Sequence, residues 1–296
     1  MYSIKAVSQA TGLSVETLRA WERRYRVVVP ARDDLGRRVY GAEDVLRLRR
    51  LREATDLGHP IGRLVHLDER SLAGLLEEPD RRAPSAAANG FVERALEAAQ
   101  RYSASDCEQA LTLAIALLPP ARLVEEVLGP LLREVGERWH RGEWSIAQER
   151  LVSSVVRRHV ALIVDTFDRA ARRPSSIVFA TLPGEPHELG LLMSALVCAS
   201  RGFRVHYLGP QLPAPEIARY ANEVGASVVA LSVLQEDALA NVRAQLAHLA
   251  GALEPRLPIW LGGRGAQRLD TDALPPHAVV LAGTSELQQR LAALVH

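Results

Sequence analysis

The sequence predicts a multidomain chain that ends in an α/β domain with a doubly wound, parallel, five-stranded sheet. From residue 173 onward, short β-rich runs alternate with helical runs, and this alternation is typical of such a sheet. Residues 91–172 instead carry apolar side chains at helical spacing, which predicts a helical bundle. Residues 1–78 form a separate basic segment of short helices. Residues 79–90 are rich in Pro, Ala, Ser and Asn, so we interpret them as a linker.

Length and composition exclude several classes of protein. The 296 residues are 48% hydrophobic and 24% charged, which is ordinary for a globular protein and excludes a fibrous or wholly disordered chain. The longest apolar runs, such as Ser227 to Leu234, fall far short of the roughly 20 residues that span a bilayer, and the amino terminus lacks a signal-peptide layout. We therefore expect a cytoplasmic protein. Cys107 and Cys198 lie in apolar helical surroundings and are expected to be buried.

Positive charge is concentrated at the amino terminus. Residues 1–52 carry twelve basic and six acidic side chains, a formal charge of +6, whereas the whole chain carries +1. A basic segment of this kind is typical of a part that binds nucleic acid. Its apolar spacing predicts two short helices joined by a Thr-Gly-Leu-Ser turn, with Ser14 capping the second helix. This pattern is a helix-turn-helix.

The same segment closely resembles the winged DNA-binding domain of the MerR family. The resemblance covers about residues 2–70 and rests on the helix-turn-helix, the run WERRY, a wing that ends in GRRVY and a helix that opens with AEDV. It implies a dimer on a two-fold operator. The residues that it places at DNA are Thr17, Arg19, Arg23, Arg24, Arg37, Arg38 and Tyr40. Asp33 and Asp34 depart from wings of this kind, because carboxylates repel phosphate. The alternative for the arginines is a solvated helical face.

The α/β segment places a histidine directly after its first strand. The run GEPHELG contains Glu185, His187 and Gly190 in an ExHxxG pattern, between SIVFATL and an apolar helix. Loops at the carboxyl ends of parallel strands form ligand sites, and an imidazole there can reach a ligand above the sheet edge. A lone loop histidine is more often a capping or surface residue. Two further pieces, Ser232-Val233-Leu234 and Gly262-Gly263, follow later strands.

The order and spacing of these pieces resemble the cobalamin-binding domain of methionine synthase, methylmalonyl-CoA mutase and related corrinoid proteins. The resemblance implies a Rossmann-like fold in which His187 is the lower ligand of cobalt and displaces the cofactor's dimethylbenzimidazole. It also implies that the nucleotide tail enters a crevice lined by Ser232, Gly262 and Gly263, and that Glu185 supports the ligand. The remaining implied cofactor-binding positions of the motif are Gly190 and Leu234. The alternative is a flavodoxin-like module without cobalamin.

The helical segment before the sheet resembles the four-helix cap of CarH/LitR-type photoreceptors, which join it to a MerR domain. The resemblance rests on VGERWHRGEWSIAQER, residues 135–150. It implies that Trp139 and Glu149 pack against a 5′-deoxyadenosyl group above cobalt and that His140 takes the upper position after photolysis. Arg150 stands where that class has histidine; a guanidinium cannot accept a hydrogen bond, so another upper ligand stays open. Core packing of Trp139 and a surface role for His140 are the alternatives.

Together the resemblances imply a light-responsive transcriptional repressor whose chromophore is adenosylcobalamin and which performs no catalytic turnover. In the dark, the loaded protein is expected to form a homo-oligomer, from dimer to tetramer, on double-stranded operator DNA. Light would break the cobalt–carbon bond and release the DNA. Two other functions stay open. One is a corrinoid methyl carrier, and the other is a regulator that senses redox state or another ligand without cobalamin.

Overall fold

The computed structural model divides the chain into two compact units, Met1–Ala83 and Pro84–His296. The residues that it describes are 2–32, 36, 38–56, 61–69, 71–72, 86–171, 173–235, 239–255 and 257–294. In the second unit, helices and sheet share one continuous apolar core. The bundle and the α/β segment are therefore packed together as one body.

The amino-terminal unit contains a helix-turn-helix and a small antiparallel sheet. Its helices are α1 Ile4–Thr11, α2 Val15–Tyr25, α3 Ala42–Asp56 and α4 Ile61–Leu64. Its strands are β1 Tyr2–Ser3, β2 Ala31–Arg32 and β3 Arg38–Tyr40, in the order β1-β3-β2. This architecture confirms the predicted helix-turn-helix. The predicted wing residues Asp33, Asp34 and Arg37 lie outside the described residues.

Side-chain caps and one left-handed glycine set the turn between α1 and α2. The hydroxyl of Ser14 accepts a hydrogen bond from the amide of Thr17 at 3.0 Å, as predicted for an N-cap. Gly12 ends α1 with a φ of 69°, and its amide donates to the carbonyl of Ser8. Below the turn, the fully buried side chains of Val7 and Leu18 anchor the two helices in the core of this unit.

Four helical rods form a bundle at the start of the second unit. They are α5 Ala86–Gln100; α6 Ala104–Leu117; a composite rod of α7 Pro120–Arg122, a π-helical segment Leu123–Leu128 and α8 Gly129–His140; and α9 Ile146–Arg169. The predicted linker 79–90 is wrong at its end, since α5 begins at Ala86. Alanine has the highest helix propensity, and it dominates this stretch despite the nearby Asn and Gly. Residues 79–85 lie outside the described residues.

The π-helical segment is a feature that the sequence analysis did not predict. The amide of Gly129 donates to the carbonyl of Val124, five residues back, and a Cβ at Gly129 would lie only 3.0 Å from that oxygen. Pro130 follows and has no amide hydrogen, so the normal ladder is already broken at this point. A helical turn that is wider by one residue lets the helix continue through Gly129 and Pro130.

The sheet has five parallel strands in the order β5-β4-β6-β7-β8. The strands are β4 Ser176–Ala180, β5 Arg204–Gly209, β6 Val228–Ser232, β7 Ile259–Gly262 and β8 Ala278–Val280. The helices are α10 Leu189–Ser200, α11 Ala214–Glu223, α12 Leu239–Ala252 and α13 Thr284–Ala293. The chain winds outward from β4 in one direction and then from β6 in the other. The topological switch point therefore lies between β4 and β6.

The two faces of the sheet bury alternate residues of each strand. Ile177 and Phe179 of β4 belong to the core that also contains α9, α10 and α13, whereas Val178 and Ala180 pack against α11 and α12. The α9 helix thus covers α10, and through it one face of the sheet.

Both cysteines are buried, as predicted, and neither takes part in a disulfide. Burial raises the pKa of the Cys107 thiol to about 11 and also raises that of Cys198, so both stay protonated at neutral pH. Among the described residues, no helix is both long and apolar enough to cross a membrane.

Two tryptophans near the α8–α9 connection have opposite environments and provide a test of the bundle core. The ring of Trp144 is 5% exposed, and its Nε1 donates to Oε1 of Gln100 at 2.7 Å. The ring of Trp139 is 48% exposed. We expect Trp144→Phe to lower the free energy of unfolding by about 1–3 kcal/mol, because it removes this bond and leaves a void.

The matched control, Trp139→Phe, should change the free energy of unfolding by less than about 0.5 kcal/mol. Urea unfolding followed by circular dichroism measures both variants. Equal losses in the two variants would contradict the assignment of Trp144 to the core.

Candidate functional site

Two loops at the switch point carry the predicted ligand residues. Glu185 and His187 follow β4, and Ser232 ends β6, the strand beside it. Leu234 lies two residues beyond Ser232 in the second loop. Because β4 and β6 are neighbours with divergent connections, these loops lie at the position where ligands of doubly wound sheets bind.

The carboxylate of Glu185 accepts four hydrogen bonds and joins these two loops. Its Oε1 accepts from the amide and from Nδ1 of His187, at 3.0 and 2.7 Å. Its Oε2 accepts from the amides of Leu234 and Gln235, at 2.6 and 2.9 Å. The residue is only 3% exposed, so a buried group of one loop holds the backbone of the other.

The surroundings of Glu185 keep it ionised. Burial raises the pKa of the carboxyl, but the hydrogen bonds from Gln235, Leu234 and His187 outweigh burial and leave the pKa below its ordinary value. A carboxylate can only accept, so Nδ1 of His187 is the donor and the ring's other nitrogen, Nε2, carries the lone pair when the imidazole is neutral. The His187 side chain is 52% exposed. This is the arrangement of a metal-binding imidazole oriented by a carboxylate, so the donor set fits a cobalt ligand.

Buried Thr181, which the sequence analysis did not single out, holds the loop of Glu185 in place. Its hydroxyl donates to the carbonyl of Glu185 and accepts from the amide of Gln211 at 2.9 Å. Its position directly after the buried strand β4 could have marked this threonine as a structural residue of the loop.

Glycines hold the loop after β7 against the loop after β6. A Cβ at Gly263, which has a φ of 98°, would clash severely with the carbonyl oxygen of Val233, and one at Gly265 would lie 3.1 Å from the same atom. Gly263 therefore lets the backbone of its own loop approach the backbone at Val233. The resemblance had instead implied that Gly263 makes room for the nucleotide tail. A Cβ at Gly262 would meet nothing closer than 4.0 Å. Gly265 was not predicted, although the run GGRG contained it.

Gly190, the last residue of the ExHxxG pattern, lies in the first turn of α10. A Cβ there would meet no described atom within 4 Å. No packing inside the described part of the chain therefore requires a glycine at this position.

The predicted upper-face residues form a separate group where α8 meets α9. Trp139 and His140 end α8 and are exposed, so the core-packing alternative for Trp139 is wrong. Glu149, in the first turn of α9, accepts from the hydroxyl of Ser153 at 2.5 Å. The guanidinium Nε of Arg150 lies 3.5 Å from Oε2 of Glu149. Within the described residues, no bond connects this group to the loop of His187.

The predicted DNA-contact residues divide into exposed and internally engaged side chains. Arg19, Arg23 and Arg24 are exposed along α2, whereas Thr17 is half-buried. Arg38 pairs with Glu22 at 2.9 Å and remains partly exposed.

Tyr40 requires a correction, because it cannot contact DNA from its position. Its side chain is fully buried, and its hydroxyl donates to Glu22. Burial and this carboxylate raise the pKa of Tyr40. Since Glu22 belongs to α2 and Tyr40 to β3, the tyrosine connects the small sheet to α2.

Comparison with known proteins agrees with this arrangement. Residues 2–70 match the family of MerR HTH regulatory proteins, and residues 91–163 and 175–291 each match a B12 binding domain. The HTH-type transcriptional repressor CarH of Myxococcus xanthus is 36% identical over 270 residues, which cover 90% of each chain. The chain belongs to the CarH family of repressors. CarA, another HTH-type transcriptional repressor of that organism, is 29% identical over 89% of this chain and 87% of its own.

The CarH-family assignment establishes a MerR-type regulator with cobalamin-binding domains. A solved structure, the monomethylamine corrinoid protein of Methanosarcina barkeri, matches with a TM-score of 0.56 and 13% identity, over 69% of this chain and 99% of that one. That likeness concerns the fold alone. It shows the bundle and the parallel sheet as a shared architecture.

The glycines of the β7 loop provide a stability test in this CarH-family chain. We expect Gly263→Ala to lower the free energy of unfolding by about 2–4 kcal/mol, because the new Cβ would combine left-handed strain with a collision against Val233. Gly262→Ala, the adjacent control, should cost less than about 1 kcal/mol. Denaturant titration of both variants decides the point, and a Gly263→Ala protein as stable as the control would show that the loops are not in contact.

Proposed function

We propose that this protein is a cobalamin-dependent, light-responsive transcriptional repressor that uses adenosylcobalamin. One observation carries the proposal. At the switch point of a sheet in a B12-binding family, a buried carboxylate holds Nδ1 of His187 and directs its other nitrogen outward. The same chain carries a MerR-type helix-turn-helix, so ligand binding and DNA binding reside in one polypeptide.

His187 and Glu185 supply the lower side of the proposed site. Glu185 keeps the imidazole in the tautomer that can bind cobalt through Nε2, and its bonds to the amides of Leu234 and Gln235 tie the ligand loop to the crevice. Ser232 at the end of β6 and Gly262 at the end of β7 are paired in the sheet and border the crevice for the nucleotide tail. A stable lower ligand thus depends on both loops.

Trp139, Glu149 and His140 supply the upper side. When bound, adenosylcobalamin supplies a cobalt–carbon bond that visible light breaks. The exposed ring of Trp139 offers an apolar surface to the upper group, and His140, next to it, is the proposed ligand once that group has left. Packing of the group against Trp139 and Glu149 would favour one placement of α8 and α9, and its departure would remove that preference.

Arg150 favours a second candidate for the upper ligand. Its guanidinium is 73% exposed, permanently charged and beside Glu149, so it presents hydrogen-bond donors to the upper side. A cobalamin whose upper ligand accepts hydrogen bonds suits these donors. The regulator would then respond to that cobalamin through the same lower ligand.

The amino-terminal unit supplies the DNA contacts. Arg19, Arg23 and Arg24 of α2 are exposed and positioned to meet phosphates, and Thr17 lies at the start of the same helix. A dark homo-oligomer, from dimer to tetramer, would hold several such units on one operator and multiply their affinity. The protein acts in the cytoplasm, where operator DNA lies, and it regulates without catalysing a reaction.

Absorbance spectroscopy and gel shifts test the proposal together. The purified protein should retain adenosylcobalamin, change its spectrum under green light, and bind operator DNA in the dark but not after illumination. His187→Ala should weaken cobalamin retention at least tenfold. The control, His248→Ala, removes an exposed histidine of α12 and should retain cobalamin as the unaltered protein does.

Undiminished retention by the His187→Ala protein would contradict the proposed lower ligand. Retention of hydroxocobalamin, whose hydroxide accepts hydrogen bonds, together with no retention of adenosylcobalamin, would favour the second upper ligand.

A further inference from the structure

The residue after His187 connects the ligand loop to the bundle. Glu188 is at the N-cap of α10, yet its side chain makes no capping hydrogen bond there. Its Oε1 instead lies 3.0 Å from Nε of Arg157 in α9, and its Oε2 accepts from the hydroxyl of Tyr207 in β5 at 3.0 Å. The Glu188 side chain is 12% exposed, so this carboxylate is largely enclosed between helix, strand and loop.

Tyr207 is a dependable donor in this network. Burial, followed by the charge of Glu188, raises the pKa of the Tyr207 hydroxyl, so it stays protonated under all ordinary conditions. The same hydroxyl lies 3.4 Å from the carbonyl oxygen of Glu188, a weaker contact, because its one proton is donated to Oε2. The position of His187 is therefore set from two sides, by Glu185 in the crevice and by Glu188 at the bundle.

Helix α9 connects this ion pair to the upper-face residues. It is a single helix of 24 residues whose first turn carries Glu149, eight residues and roughly 12 Å along the axis from Arg157. Near the opposite end, Asp168 accepts a hydrogen bond from the amide of Val205 in β5 at 2.7 Å. In addition to the shared apolar core, polar contacts at Asp168 and Arg157 hold the helix to the α/β segment, while its first turn carries the group proposed to meet the upper ligand.

We propose that Arg157, through Glu188, is a positioning residue for His187 and makes coordination of cobalt by the imidazole depend on the placement of α9. This inference rests on the proposed function, since it concerns the same cobalamin site. By reciprocity, a displacement of α9 when the upper group leaves would alter the ligand loop, and binding at the ligand loop would favour one placement of α9.

The adjacent arginine provides a matched control. Arg158 is as exposed as Arg157, at 53% against 50%, but its partner Glu108 belongs to α6 inside the bundle. Arg157→Gln and Arg158→Gln therefore remove equal charge from neighbouring positions of one helix, and only the first cuts the connection to the ligand loop. Arg157→Lys keeps the positive charge and should retain part of the cobalamin affinity that Arg157→Gln loses.

Two measurements on the full chain test the inference. Titration with hydroxocobalamin should give a Kd about fivefold higher for Arg157→Gln and within twofold of the unaltered value for Arg158→Gln. Electron paramagnetic resonance of cob(II)alamin bound to ¹⁵N-histidine-labelled protein reports coordination by a histidine nitrogen. Measured in a His140→Ala background, which removes the proposed upper histidine, the coordinated fraction should fall only in Arg157→Gln. The double variant Arg157→Gln/Glu188→Gln should be little worse than Glu188→Gln alone, because the two residues act as one pair.

Equal behaviour of Arg157→Gln and Arg158→Gln in both measurements, with unaltered protein that shows the histidine signal, would overturn the inference and leave the proposed function intact. A failure of the proposed function would be visible separately, as unaltered protein that binds no cobalamin or shows no histidine nitrogen. That result would overturn the inference as well.

Discussion

The site depends on one buried carboxylate and its four hydrogen bonds. Glu185 holds the imidazole of His187 with one oxygen and the backbone of the neighbouring loop with the other. A buried charge is costly unless every lone pair finds a donor, and here amides and an imidazole supply the donors. The orientation of the His187 imidazole and the position of the neighbouring loop therefore depend on the same carboxylate. A change in either loop alters both.

The sheet topology explains why these two loops meet. The strand order places β4 beside β6 although β5 lies between them in the chain, so loops that are about fifty residues apart in sequence face each other at the switch point. The third loop, after β7, comes close because glycine at 263 and 265 leaves room for the carbonyl of Val233. The candidate site is thus built from loop ends, and the strands below it are buried throughout and apolar except for Ser176 and Ser232.

Much of the architecture was predictable from the sequence, because alternation, helical spacing and caps are local properties. The helix-turn-helix, the five parallel strands and the Ser14 cap all follow from such patterns. The start of α5 and the π-helical segment were missed, because composition alone does not distinguish an alanine-rich linker from a helix, or a Gly-Pro kink from a widened turn.

The site was less predictable than the fold. The motif placed Glu185 and His187 near a ligand, but the bond between them and the tie to Leu234 and Gln235 are long-range geometry that no spacing rule contains. Tyr40 shows the converse error. A tyrosine at the end of a basic wing suggests DNA contact, but packing turns it inward onto Glu22.

Two groups of one compact unit are proposed to hold the cofactor. The ligand loop belongs to the sheet and the exposed Trp139 to the bundle, and the two are joined through the shared core beneath α9 and α10. The central claim is that the imidazole of His187 binds cobalt while Glu185 holds it from behind. A crystal structure of the protein grown with cobalamin tests this most directly. We expect Nε2 of His187 bonded to cobalt and Nδ1 still hydrogen-bonded to Glu185. A His187 ring turned away from the metal, or a crevice beside Ser232 and Gly263 without the nucleotide tail, would contradict the account.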